Sequence, residues 1–116
     1  MTRKRTIGRF RRSKQGGWEG RIQTLTLDCK VRLVPNDNRK TDEAPDFIVL
    51  LGWSRVGEAW EAKSRSDPPR PYLRIRLHDP TWPAPLRAAL FPAPDGLTAE
   101  LAWSSRLSRE RDRHDD

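Results

Sequence analysis

Leu25-Thr26-Leu27-Asp28-Cys29-Lys30-Val31-Arg32-Leu33 carries an apolar side chain at every odd position and a polar one at every even position. Successive side chains of an extended chain point to opposite faces, so a period of two marks a strand with one buried and one wet face. Ile22 falls out of phase with this run, which predicts a bulge or a strand start near Gln23 and Thr24. Pro35-Asn36-Asp37-Asn38 closes the strand with turn residues.

The same period recurs in Tyr72-Leu73-Arg74-Ile75-Arg76-Leu77-His78, with Leu73, Ile75 and Leu77 facing inward. Phe47 to Trp53 is apolar on both faces, as in a central strand covered on both sides. Ser54-Arg55-Val56-Gly57 reads as a hairpin turn into Glu58–Lys63, and Ser64 to Pro71 as a charged, proline-rich loop. Asp79 to Pro85 holds three prolines, which remove donors and restrict their neighbours, so it is not regular structure. Leu86–Phe91 and Thr98–Trp103 resume as strands on either side of a turn at Pro92–Gly96. No segment offers about ten residues of helical period with caps. The expectation is an all-β fold of six or seven strands, an antiparallel meander closed or partly open as a small barrel, with a sandwich as the alternative.

A chain of 116 residues has room for one domain. Hydrophobic and charged residues each make up 34%, lean for a globular protein, so a compact core with disordered ends is expected. The divisions are a basic flexible arm over 1–17 with a first strand near 7–10, a barrel over 18–104, and a charged disordered tail over 105–116. Cys29 is the lone cysteine, which excludes an internal disulfide and suits a reducing compartment. The basic N-terminus has no apolar run behind it, and no segment approaches the roughly 20 apolar residues that span a bilayer. A cytoplasmic protein with no membrane partner is expected.

The net charge of +7 is unevenly placed. Residues 1–14 hold seven basic side chains (Arg3, Lys4, Arg5, Arg9, Arg11, Arg12, Lys14) and no acid, while the remainder holds 16 of each sign. Such an arm reads a polyanion, or else it is a solubilising tail. Lys30 and Arg32 project from the wet face of one strand, and Tyr72, Arg74 and Arg76 from that of another. If the barrel brings these faces together, cations for phosphates would surround a ring for stacking on a base. The alternative is a solvated face whose arginines pair with Asp28, Glu58 or Glu100 across strands. Trp53, Trp60 and Trp103 lie in strands, where core filling is the default for such large rings, although Glu58 and Glu61 flanking Trp60 leave its face open, whereas no apolar period places Trp18 or Trp82. Each of these two is a lid on a barrel end or an exposed stacking or interface residue.

Catalytic chemistry finds no foothold. His78 and His114 are the only histidines, and His78-Asp79 lacks a third ligand at a useful spacing, so no metal is expected. Cys29 sits at an inward position and packs as a small hydrophobe, on the opposite alternation face from His78. The carboxylates Asp42, Glu43, Asp46, Glu58 and Glu61 carry no pocket signal, and Gly16-Gly17 lacks the lysine and helix of a phosphate loop. No enzyme activity and no cofactor are expected.

Several blocks together carry a family likeness: Ile7-Gly8-Arg9-Phe10, Gly20–Leu27, Ala44-Pro45-Asp46-Phe47, Gly57-Glu58-Ala59-Trp60, Tyr72–Pro85 and Leu101-Ala102-Trp103-Ser104. In their order and spacing, from about residue 7 to 106, the chain resembles the bacterial family catalogued as domain of unknown function 736. Met1–Arg5 departs from that pattern by adding three basic residues. The resemblance implies a small bacterial protein encoded near plasmid or integrative-element genes, with no activity or catalytic residue to carry over. The expected function is non-catalytic, backbone-directed or single-strand binding of nucleic acid, DNA or RNA. The alternative is an interaction module that inhibits a host nuclease or defence complex.

Overall fold

In the computed structural model, which describes residues 4–104, the alternating segments become strands and each pairs with the next. They are β1 (Lys4–Arg12), β2 (Trp18–Gln23), β3 (Asp28–Pro35), β4 (Phe47–Leu51), β5 (Ser54–Lys63), β6 (Pro71–Leu77), β7 (Leu86–Pro92) and β8 (Thr98–Ser104). Every neighbouring pair is antiparallel, and β8 pairs back onto β1, so the sheet closes into an eight-stranded up-and-down barrel. Closure leaves no strand with an unpaired edge. No helix among the described residues is long and apolar enough to cross a membrane.

Eight strands enclose an interior just wide enough for side chains to fill. Phe10, Ile22, Leu33, Val49, Ile75, Leu90 and Leu101 point into it and are buried. Small residues make room for large ones: a methyl group at Gly20 would lie 2.5 Å from Cγ of Phe10, whose ring covers that position. Register slips between Thr6 and Gly8 against β8, and between Val49 and Leu50 against β5, mark bulges. Such bulges add the local twist that a closing sheet needs.

The expected all-β barrel is therefore present, with eight strands in place of six or seven. The strand not foreseen as separate is β2, where only a bulge or strand start is expected, and β1 runs far longer than a strand near 7–10. Only Ile7 and Phe10 of its nine residues are buried hydrophobics, so basic outward positions mask its period. The 105–116 tail and Arg3 lie outside the described residues.

Two turns are also displaced from expectation. Leu25 is not a strand residue. The Thr24 hydroxyl accepts from the Leu27 amide at 3.1 Å, and the Thr24 amide donates to the Leu27 carbonyl at 2.7 Å. These bonds close a hairpin and leave Leu25 exposed, and they dispose of the phase break at Ile22. The β4–β5 turn is Gly52-Trp53 and not Ser54–Gly57, because Leu51 pairs directly with Ser54. Gly52 takes φ +62°, the conformation that the first residue of a tight two-residue hairpin demands.

Candidate nucleic-acid interface

β1, β2 and β3 are adjacent, and their inward residues fix which side chains face out. Phe10, Gly20 and Val31 lie in register across the inside, so the flanking Arg9, Arg11, Glu19, Arg21, Lys30 and Arg32 line the outside. Arg9 pairs in register with Arg21, and Arg21 with Lys30, which sets three cations side by side. One step along, Arg11 stands opposite Glu19, Glu19 opposite Arg32, and Arg32 opposite Leu50 of β4. An open depression of about 650 Å³ runs over this face.

Like charges placed directly across strands oppose folding. Two carboxylates relieve part of that repulsion. Arg11 Nε meets Glu19 Oε1 at 2.8 Å, and Arg21 grips Asp28 through two nitrogens at 2.6 and 2.8 Å. The Arg21 hydrogen bonds hold the Asp28 carboxyl below its ordinary value. Both pairs are solvent-exposed, so each contributes little and each arginine can turn to another anion. Arg9, Lys30 and Arg32 have no carboxylate partner among the described residues. Glu100, opposite Arg9 on β8, borders the patch without pairing into it.

Trp53 completes the patch. At the tip of the β4–β5 hairpin it is 93% exposed, and the Arg32 guanidinium lies 5.8 Å from its ring centre. Arg32 also donates to the Gly52 carbonyl at 3.1 Å, tying the hairpin to the cationic face. An indole held in solvent beside unpaired cations can stack on a flat ligand while they take its negative charge.

The expected second half of the surface is elsewhere. β6 is separated from β3 by β4 and β5, so Tyr72, Arg74 and Arg76 do not join Lys30 and Arg32. The tertiary structure occupies them locally. Tyr72 stacks on Phe91 at 5.4 Å between ring centres, and Arg76 lies 5.3 Å from the Trp60 ring while bonding Glu58 at 3.0 Å. Nε of Arg74 is buried without a hydrogen-bond partner among the described residues. The cross-strand pairing foreseen as the alternative thus holds for Arg76 with Glu58.

The remaining basic residues scatter. The Lys4 ammonium sits 4.1 Å over the Phe91 ring, Arg5 reaches the barrel end at which β1 begins, and exposed Lys14 lies in the turn at the other end. There the Arg12 guanidinium covers Trp18 at 4.7 Å, and Trp18 is 4% exposed, a lid and not a stacking platform. Trp82 is half-buried against the core, as is Trp103.

Comparison with known proteins bears on nearly the whole chain. The family model described as "Protein of unknown function (DUF736)" matches residues 6–106. The chain belongs to this family. No curated protein and no solved structure matches it. Within this DUF736 barrel, sequence reasoning missed Trp53 and Arg21. Glycine as the first of two residues between apolar and polar strand segments was the signal that Trp53 tops a hairpin. Arg21 follows from pairing β2 with β3, once Ile22 is accepted as an inward residue.

Proposed function

We propose that this protein is a non-catalytic nucleic-acid-binding barrel that holds single-stranded DNA or RNA against the outer face of β1–β3. The observation that carries this reading is the row Arg9–Arg21–Lys30, flanked by Arg11 and Arg32 and ending on the exposed Trp53. Five cations face two paired carboxylates there, so the face attracts phosphates. The indole adds stacking energy that depends little on base identity. Regularly spaced backbone contacts with one ring favour an unpaired strand, whose bases can turn out to meet it. A cytoplasmic setting in a bacterium that carries mobile elements suits this role.

Because Arg9 and Arg11 belong to a wall strand, the test uses point substitutions in the full chain. Labelled single-stranded and duplex oligonucleotides are titrated by fluorescence anisotropy at about 50 and about 200 mM salt, the range over which phosphate-directed binding collapses. Engagement of five phosphates gives a log K against log salt slope of about −3.5 for a single strand. Trp53→Ala should weaken single-strand binding about tenfold and leave the slope unchanged. Replacing Arg9, Lys30 and Arg32 together by Gln should flatten the slope by about 2. Absence of binding at the lower salt sinks the reading. A protein partner for Trp53, as in inhibition of a host nuclease or defence complex, would then be sought by pull-down.

A further inference from the structure

The two ends of the barrel are finished differently. At the end holding the β1–β2 turn a depression of about 450 Å³ is bordered by charges of both signs, Glu61, Lys63 and Arg12, and Trp18 is buried beneath the Arg12 guanidinium. At the opposite end a mouth of about 410 Å³ opens, within the range of small-molecule sites. Its floor is Ile7, Leu27 and Leu86, its sides are Trp82 and Trp103, and Arg5 stands at its edge.

Three features distinguish the lining of this mouth. Trp82 and Trp103 line one cavity, yet among the described residues their rings stack on neither each other nor any other ring, so both leave aromatic surface to the cavity. Their indole N–H groups have no acceptor among the described residues. Trp60 donates its own to the Glu43 carbonyl at 2.9 Å, whereas no described group accepts from Trp82 or Trp103. Arg5 is exposed and has no carboxylate partner among the described residues. Walls that are mostly aromatic and apolar, with Thr24 and Thr26 beside them and N–H donors at the rings and the edge, suit a planar apolar body with an acceptor-rich anionic end.

The loop that carries Trp82 is held in place independently of any ligand. The Asp79 carboxylate accepts from the Thr81 amide at 3.0 Å and from the Thr81 hydroxyl, and the Trp82 amide donates to the Asp79 carbonyl at 3.0 Å. Hydrogen bonds from Thr81 keep the Asp79 carboxyl below its ordinary value, so the turn stays set near neutral pH. Prolines on both sides of Ala84 stiffen the following stretch. Preorganisation of this kind lowers the ordering cost of binding.

We propose that this mouth is a binding site for a small aromatic anion, its ring between Trp82 and Trp103 and its negative group on Arg5. The site is separate from the β1–β3 outer face and does not depend on the nucleic-acid reading. The probes are 8-anilinonaphthalene-1-sulfonate, an aromatic anion that brightens in apolar sites, and N-phenyl-1-naphthylamine, the same rings without the charge.

The full chain should bind the sulfonate at one site per molecule. Trp82→Ala should weaken both probes about tenfold, the loss of one stacking wall. Arg5→Gln should weaken the sulfonate about tenfold and leave the amine unchanged, the signature of a charged hydrogen bond. Leu97→Ala, an exposed position at the far end, should alter neither. Far-ultraviolet circular dichroism checks that each variant is folded, and Trp103→Phe, which keeps a ring but removes the N–H, serves if Trp82→Ala unfolds. Absence of saturable one-site binding overturns the proposal. So does equal binding of both probes by Arg5→Gln and the parent chain, or loss of the sulfonate and the amine to the same extent in Arg5→Gln.

Discussion

Glu58 sits on the outer wall of the barrel, opposite Ile48 and Arg76, yet it is only 5% exposed. Three side chains cover it. Arg55 donates at 3.1 Å, Arg76 at 3.0 Å, and Nε2 of His78 lies 3.0 Å away. Burial by itself pushes the carboxyl up, but the hydrogen bonds from His78, Arg76 and Arg55 outweigh it and hold the group below its ordinary 4.5. A carboxyl whose pKa is lower in the folded than in the unfolded chain stabilises the fold fully above the unfolded value. That contribution is lost as pH falls through the folded value. Glu58→Gln should therefore destabilise the protein near neutral pH by about 1–3 kcal/mol, and the gap to the parent chain should narrow below about pH 4.5. Urea midpoints of both proteins between pH 3 and 7 measure it, and a gap constant across that range contradicts the role assigned to Glu58. This cluster also explains why Arg76, legible in the sequence as an outward cation, is not available to a ligand on its own wall.

At the scale of the element, β1 carries two burdens. Its outward positions supply Arg9 and Arg11 to the cationic face, while Ile7 and Phe10 seal the interior. Its ladders to β2 and β8 are what close the sheet. Removing residues 1–12 should accordingly not yield a barrel lacking an arm. It should open two edges, expose the inner faces of β2 and β8, and give an aggregating or unfolded chain. Circular dichroism and light scattering of the truncated protein test this, and a soluble, cooperatively melting product would contradict the wall role. Periodicity could not expose the strand's full length, because Lys4–Arg12 has only Ile7 and Phe10 to mark it, and the bulge at Ile7 breaks their alternation. The two hairpins were hidden for a related reason. Leu25 and Trp53 are apolar, so each looks like a strand continuation until pairing shows that the chain has already turned.

For the whole molecule, closure makes stability collective. No strand can fray without breaking two ladders, and the last pairing, β1 with β8, joins opposite ends of the chain. Urea unfolding followed by tryptophan fluorescence and by far-ultraviolet circular dichroism should trace one coincident transition. Separated midpoints would reveal a part of the wall that opens by itself. Refolding should be slow for a chain of this size, in the millisecond-to-second range, because non-local strand pairing must precede its reward.

What the sequence by itself determined is most of what depends on near neighbours. Alternation at Lys30–Leu33 and Tyr72–Leu77 assigned inner and outer faces correctly, prolines barred regular structure from 79–85, and the family blocks marked membership from about residue 7 to 106, where the family model matches 6–106. The period is local, so it survives without knowledge of the fold. Which outer faces become neighbours was decided only by the tertiary structure. It placed Arg21 between Arg9 and Lys30, set Trp53 against Arg32, and carried Arg74 and Arg76 to another wall. Strand order and closure depend on pairing between distant segments, and the physical cause is that outward side chains leave no mark on the period that buries their neighbours.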